Sequence, residues 1–353
     1  MIDLSLFDYN LPKELIARFP LPDRDQSRLL ILIRRECKII HSHFRNLPEY
    51  LKEGDLLIIN NSKVIPARLI GSLNGSFIDC LLTKKINEDT WEGIFHPARK
   101  VKTGKKIKFS EGLEGEIIRI NDYGKRLIQF NRKGNDLINL IRKIGFAPLP
   151  PYIKRKNEEA IKYKEFDLNR YQTIYAKEEG SIAAPTAGLH FTPKVIDKIK
   201  EKGVEVLEIT LHVGEATFRP VKTKKIEEHK MGEEYFHIKE EVANKINLAK
   251  KDKRRIIAVG TTTVRALESA WKDNYLEPGF NKTELFIYPG YKFKVVDALL
   301  TNFHLPKSTL LMLVSAFASQ NPEEGIKLIK KAYKEAIKRK YRFYSYGDCM
   351  LIL

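Results

Sequence analysis

Between Arg68 and Ile144 the chain changes texture, and that change narrows the possible architectures more than any other feature. Short strand-like runs follow one another closely: Phe77–Leu82, Thr90–Phe95, Lys105–Phe109, Glu114–Ile120 and Arg126–Phe130. Turn signals separate them, at Asn74-Gly75, Ser110-Glu111-Gly112, Asn121-Asp122-Tyr123-Gly124 and Asn131 to Gly134. Strands this short, at this spacing, predict a small antiparallel barrel. On both sides of it strands alternate with helical segments, the pattern of an α/β sheet. The expected fold class is therefore a large α/β domain, residues 1–67 and 145–353, with an inserted small antiparallel β-barrel domain at 68–144. Pro148, Pro150 and Pro151 stiffen the return segment.

Outside the insertion, Leu11–Arg18 reads as a helix entered through Pro12. Arg28–Ile33 and Lys38–Phe44 read as two strands. Asp55–Ile59, Val204–Val213, Arg255–Val259 and Leu285–Tyr288 are further apolar strand candidates. Thr192 suits a helix N-cap, Pro193 the first helical position and Gly203 the stop. Near the C-terminal end Ile326, Ile329, Tyr333 and Ile337 fall on one helical face.

A chain of 353 residues, 43% hydrophobic and 31% charged, has the composition of a soluble globular protein with a substantial core. The longest apolar run, Leu310–Phe317, is too short to span a membrane, and Met1-Ile2-Asp3-Leu4 does not begin a signal peptide, so no membrane contact is expected. Cys37, Cys80 and Cys349 are scattered without metal-ligand spacing, which fits a reducing cytoplasm and predicts no metal. The net charge of +18 fits either a polyanionic partner such as RNA or simply lysine-rich solvated faces.

Four loops hold the residues with chemistry to offer. Ser181–Thr192 is built of small residues around one imidazole, His190, and Gly188 is expected to supply a turn that other residues resist. Thr301–Thr309 is a second histidine loop with His304, and the strand ending at Val213 brings His212. Gly260-Thr261-Thr262-Thr263 opens a helix after a strand, with Arg265 nearby, an arrangement that suits a carboxylate or phosphate; threonines are also ordinary caps. Asn60 and Asn61 end a buried strand, where ligands gather in α/β sheets and where asparagines also simply close turns. For each histidine, proton transfer and loop bracing are both open. No nucleophile elbow, dinucleotide fingerprint or Gly-Lys-Ser/Thr phosphate loop is present.

Taken together, these segments resemble the S-adenosylmethionine:tRNA ribosyltransferase-isomerase family of queuosine biosynthesis. The matching stretches are Phe7-Asp8-Tyr9 with Leu11-Pro12, Arg24-Asp25 with Ser27 to Leu30, Asn60 to Leu69, Pro148 to Tyr152, Arg170 to Ala176, Ala183 to Thr192, Thr210 to Gly214, Ala258 to Leu267, Tyr288 to Gly290, Thr301 to Phe317 and Phe343 to Asp348. The chain departs from the family pattern at Gly232, where a histidine is often found, and at Ala216, Ser319 and Cys349.

The resemblance implies an α/β domain with an inserted barrel, and a transferase that consumes S-adenosylmethionine as a ribosyl donor, so no cofactor is expected. The implied acceptor is 7-aminomethyl-7-deazaguanine at the wobble position of a tRNA with a GUN anticodon. Epoxyqueuosine would form, with adenine and methionine released. Such a site needs a base for the ribose proton that the sulfonium acidifies, a donor for departing adenine, a neutral acceptor amine and an anion site for the methionine carboxylate. His190 and His304 are the leading acid–base candidates and His212 the third. Asn60, Asn61, Arg68, Thr186, Gly188, Gly260, Thr261, Thr262, Thr263, Arg265, Asn302 and Asp348 are the substrate-binding candidates. A monomer is expected. A tRNA methyltransferase and a non-catalytic RNA-binding protein are the competing readings.

Overall fold

The computed structural model describes residues 1–121, 124–155, 157–214 and 221–353. Asp122 and Tyr123 of the expected turn, and Ala216 with Thr217, Phe218 and Arg219, lie outside the described residues.

The large sheet is assembled from β1 (Arg28–Ile33), β2 (Lys38–His43), β3 (Leu56–Asn60), β12 (Glu205–Leu211), β13 (Glu234–Ile238), β14 (Ile256–Val259), β17 (Gly279–Thr283), β18 (Ala298–Asn302) and β19 (Cys349–Ile352). Its order is β17-β13-β12-β3-β14-β18-β19-β1-β2. The central strands β12, β3, β14 and β18 run parallel, and antiparallel pairs flank them. The short strands β4 (Ser62–Val64) and β11 (Glu178–Ser181) pair beside this sheet, and β15 (Trp271–Lys272) with β16 (Tyr275–Leu276) makes a small hairpin.

β3 shows why its sequence is apolar throughout. Leu56 and Ile58 enter the core on one face, Leu57 and Ile59 the core on the other, so alternation has no solvent side to mark. Helices Glu240–Lys251, Thr261–Ala270, Thr309–Ala318 and Pro322–Lys338 add buried residues to the first core. Helix Pro193–Glu201 packs on the second. Its cap is as expected, with the Thr192 hydroxyl accepting from Val195 N–H.

β5 (Arg68–Leu73), β6 (Ser76–Lys85), β7 (Thr90–His96), β8 (Lys106–Phe109), β9 (Glu114–Ile120) and β10 (Arg126–Phe130) close into an antiparallel barrel with its own core, including Leu69, Ile78, Phe95 and Ile128. The mixed α/β architecture with a barrel is thus present.

Three local expectations change. Leu11–Arg18 is not a helix: only Lys13–Leu15 makes a tight turn, and Ile16 bridges to Phe343, so this segment spends its backbone groups on the C-terminal tail. Leu285–Tyr288 is irregular, not a strand. β13 and β17, neither expected, extend the sheet at that edge. Among the described residues no helix is long and apolar enough to cross a membrane.

Candidate active site

The four parallel strands deliver Asn60, His212, Gly260 and Asn302 to one end of the sheet, their C-terminal edge. The segment Ser181–His190 runs along that edge. At its start Ile182 N–H donates to Val213 C=O, beside β12; at its end His190 meets Asn302 of β18. Midway, Ala187 covers Gly260, whose φ of 92° is open only to glycine.

His190 sits on the tight turn Thr186–His190 and is almost completely buried. Its Nδ1 lies 2.7 Å from Ser27 Oγ and its Nε2 3.2 Å from Asn302 Nδ2. Ser27 Oγ–H is already donated to Arg24 C=O, so Ser27 accepts from Nδ1–H and Nε2 accepts from the Asn302 amide. Asn302 is fixed in turn: its Oδ1 accepts from Thr186 Oγ1 at 2.8 Å and its Nδ2 also donates to Tyr344 C=O. Tyr344 has a φ of 71°, a strained conformation for a tyrosine at a site its own carbonyl helps build. Burial, with Arg24 and Arg342 adding repulsion, pushes the His190 pKa down to about 3. Both ring nitrogens are committed and the ring is neutral.

His304 is similar. Its Nε2 is 2.9 Å from Thr301 Oγ1, its backbone N–H donates to Tyr333 Oη, and its carbonyl accepts from Tyr9 Oη. Burial lowers its pKa to about 3. His212 differs. Half-buried over the backbone of Gly180, its ring has no hydrogen-bond partner among the described residues. Burial lowers its pKa, opposed by Glu178. The ring that ranked third in the sequence is the one with nitrogens to spare.

The two buried imidazoles have a measurable consequence. Between the folded value of about 3 and the ordinary 6.5, the unfolded chain binds protons that the folded chain does not. Stability is therefore full above that window and is lost as pH falls through it, by up to about 1.4 kcal/mol per pH unit for each ring. Denaturant midpoints measured from neutral pH downward should show this slope, reduced in His304→Gln. An unchanged slope in that variant would mean the His304 ring takes up its proton while folded.

The remaining candidates occupy varied positions. Asn60 imitates a strand, accepting from Ser62 N–H and Leu211 N–H and donating to Leu211 C=O. Asn61 accepts from Thr210 Oγ1 and donates to Glu208. Thr261, Thr262 and Thr263 are buried, and Thr263 Oγ1 donates back to Val259 C=O. Arg265, expected to face an anion, is instead buried against Glu234 and donates to Leu285 C=O. Asp348 braces Arg28 and the Arg342 N–H. Arg68 forks onto Asp79 within the barrel.

Gly188 does not adopt a glycine-only backbone angle; it provides room. A Cβ there would stand 2.1 Å from Tyr175 Oη. Gly188→Ala should cost about 1–3 kcal/mol of stability by overpacking. Adding Tyr175→Phe, which deletes the opposing oxygen, should recover part of the loss in a denaturation experiment; no recovery would place the strain elsewhere.

Beside His190 a small cleft is lined by Arg24, Ser27, Arg170, Leu189, Ser345 and Tyr346, with no carboxylate in its wall among the described residues. Arg170 Nε and Tyr346 Oη are buried there with no hydrogen-bond partner among the described residues. Arg24, Ser27 and Arg170 come together across about 150 residues of chain, an adjacency with no local signal in the sequence. A larger basic cleft of about 510 Å³, lined by Arg34, Arg35, Lys253 and Arg254 among others, lies at the opposite end of the sheet. His212 and Asn302 stand on strands three positions apart, roughly 14 Å at about 4.8 Å per strand, so the three histidines do not converge.

A family model described as a queuosine biosynthesis protein matches residues 4–352. The chain belongs to the queuosine biosynthesis protein family. A Halothermothrix orenii protein named S-adenosylmethionine:tRNA ribosyltransferase-isomerase is 50% identical over 351 residues, covering 98% of each chain. One of the same name from Natranaerobius thermophilus is 51% identical over 354 residues, 99% of each. The crystal structure of S-adenosylmethionine tRNA ribosyltransferase from Thermotoga maritima matches with a TM-score of 0.56 and 40% identity, over 99% of this chain and 100% of that one.

Proposed function

We propose that this member of the family is an S-adenosylmethionine:tRNA ribosyltransferase-isomerase. In this reading it moves the ribosyl part of S-adenosylmethionine onto the aminomethyl group of 7-aminomethyl-7-deazaguanine at the wobble position of a GUN-anticodon tRNA. Adenine and methionine leave, and epoxyqueuosine remains on the tRNA. S-adenosylmethionine is consumed as a substrate.

One observation supports this assignment above the others. The Ser181–His190 segment spans the sheet edge between an uncommitted imidazole, His212, and a carboxylate-free cationic cleft at Arg24 and Arg170. A sulfonium acidifies the neighbouring ribose carbon, and a neutral imidazole with a lowered pKa is suited to remove that proton. The imidazolium so formed is an acid for the departing adenine. Arg24 and Arg170, whose guanidinium groups also donate to the carbonyls of Leu189, Asn169, Leu21 and Pro22, would hold the methionine carboxylate with their remaining N–H groups. His190 acts through Asn302 and Thr186 as a positioning residue, and His304 braces the loop through Thr301.

The test is to incubate the protein with S-adenosylmethionine and tRNA bearing the deazaguanine precursor, then identify the small molecules released. Free adenine and methionine in equal amounts are expected. S-adenosylhomocysteine would instead indicate a methyltransferase, and no turnover with retained tRNA binding would indicate a binding protein.

A further inference from the structure

The strands that the sequence did not reveal form an unusual surface. Along β13, Tyr235 and His237 point to the same face, since side chains alternate along a strand. Across the antiparallel pairing Tyr235 stands opposite Lys282 and His237 opposite Phe280. On the other side His237 pairs with Thr210, and His212 N–H donates to Tyr235 C=O. Two transverse rows therefore share one face: His212–Tyr235–Lys282 and Thr210–His237–Phe280. Phe280 is 86% exposed and Tyr235 50%. Phe280 and His237 stack with ring centroids 3.8 Å apart and planes 3° from parallel.

We propose that this face of β12, β13 and β17 is a stacking platform for unpaired bases of the RNA substrate, those flanking the base being modified. The inference rests on the tRNA reading above and adds to it a surface and a mode of contact. Sheet-borne aromatic rings recognise single-stranded nucleic acid by offering flat π faces to successive bases. Phe280 covers one face of His237 and leaves its own outer face in solvent, while the Tyr235 hydroxyl donates to Glu233 beside it. Along its strand Phe280 is flanked by Gly279, Asn281 and Lys282 and its stacked partner is His237, so its surroundings suit a planar polar ligand better than an apolar core. Charge agrees. Lys282 lies on the platform, in an exposed pair with Glu233 that a phosphate can replace, and Lys84 of the barrel is near enough to act on Glu233. The platform is also continuous with the candidate site, because His212 ends its first row. From His212 to β17 is about 10 Å, two strand spacings.

The experiment uses the full chain and two probes, an unpaired RNA of anticodon-loop length and an RNA duplex, each labelled for fluorescence anisotropy at one fixed salt concentration. Phe280→Ala is expected to weaken binding of the unpaired RNA by about 5- to 150-fold, the range for losing one stacked base. Duplex binding should be unchanged, and Phe280→Trp should restore affinity. In turnover assays KM for tRNA should rise while KM for S-adenosylmethionine and kcat at saturating tRNA stay the same. Equal affinity of wild type and Phe280→Ala for unpaired RNA would overturn the platform, and would do so whether or not ribosyl transfer occurs. Failure of ribosyl transfer with the binding difference intact would refute the reaction and leave the platform. A dimer in sedimentation velocity that Phe280→Ala dissociates, with RNA binding unaffected, would assign the face to a second copy at the open edge of β17 and also overturn the proposal.

Discussion

Replacing His212 by alanine is expected to lower kcat by about 10²- to 10⁴-fold, the usual contribution of a positioned acid–base group, with little change in thermal unfolding. The ring makes no hydrogen bond among the described residues and is only half-buried, so its loss breaks little of the fold. His190→Ala should behave differently. It strands Ser27 and the Asn302 amide in a buried site, so stability and activity should fall together. The pH dependence separates the roles further. A limb of the kcat profile below the ordinary imidazole range should vanish in His212→Ala and persist in a partly active His190 variant, because His190 is held neutral down to about 3. Near-normal turnover in His212→Ala would move the proton-transfer role to another group.

The second large effect concerns stability. Arg265→Met is expected to destabilise the chain by about 3–5 kcal/mol, because it removes one partner of a buried ion pair and the hydrogen bond to Leu285 C=O. Both side chains are almost wholly buried, and Glu234 also accepts from Gly214 N–H, next to the strand end that holds His212. The double variant Arg265→Met, Glu234→Gln should be milder than the single one, since it removes both charges of the pair together. The shift in denaturant midpoint, multiplied by the slope of the transition, gives the number. A loss under about 1 kcal/mol for the single variant would mean that the carboxylate finds water or takes up a proton at little cost.

This pair also shows where sequence reading stopped. Arg265 one turn into a helix that begins Gly-Thr-Thr-Thr suggests an anion site, and local chemistry offers no objection. The group that neutralises it, Glu234, opens β13, whose Glu-Tyr-Phe-His-Ile run is too short to be marked by alternation beside the helix that follows. β17, Gly-Phe-Asn-Lys-Thr, is an edge strand whose exposed residues erase the apolar pattern. The barrel was legible because each hairpin is announced by turn residues and each strand keeps one face in the barrel core. Leu11–Arg18 misled because its apolar spacing serves contacts with the C-terminal tail rather than a helical face. At the site, His190, Thr186 and Asn302 could each be singled out, but their hydrogen-bonded union spans 112 residues or more of chain. Pairings across such separations are set by sheet order, which periodicity does not encode. Which histidine ring keeps free nitrogens was hidden for the same reason: burial and partners, not loop composition, decide it.

In the proposed reaction ribose, and not a methyl group, leaves S-adenosylmethionine for the tRNA. This is tested most directly with S-adenosylmethionine labelled in the ribose carbons, followed by digestion of the tRNA and mass analysis of the wobble nucleoside. The expected product is a modified deazaguanosine that holds the whole ribose label, formed in step with free adenine. Label absent from the tRNA, with a methyl group gained in its place, would contradict the proposed reaction.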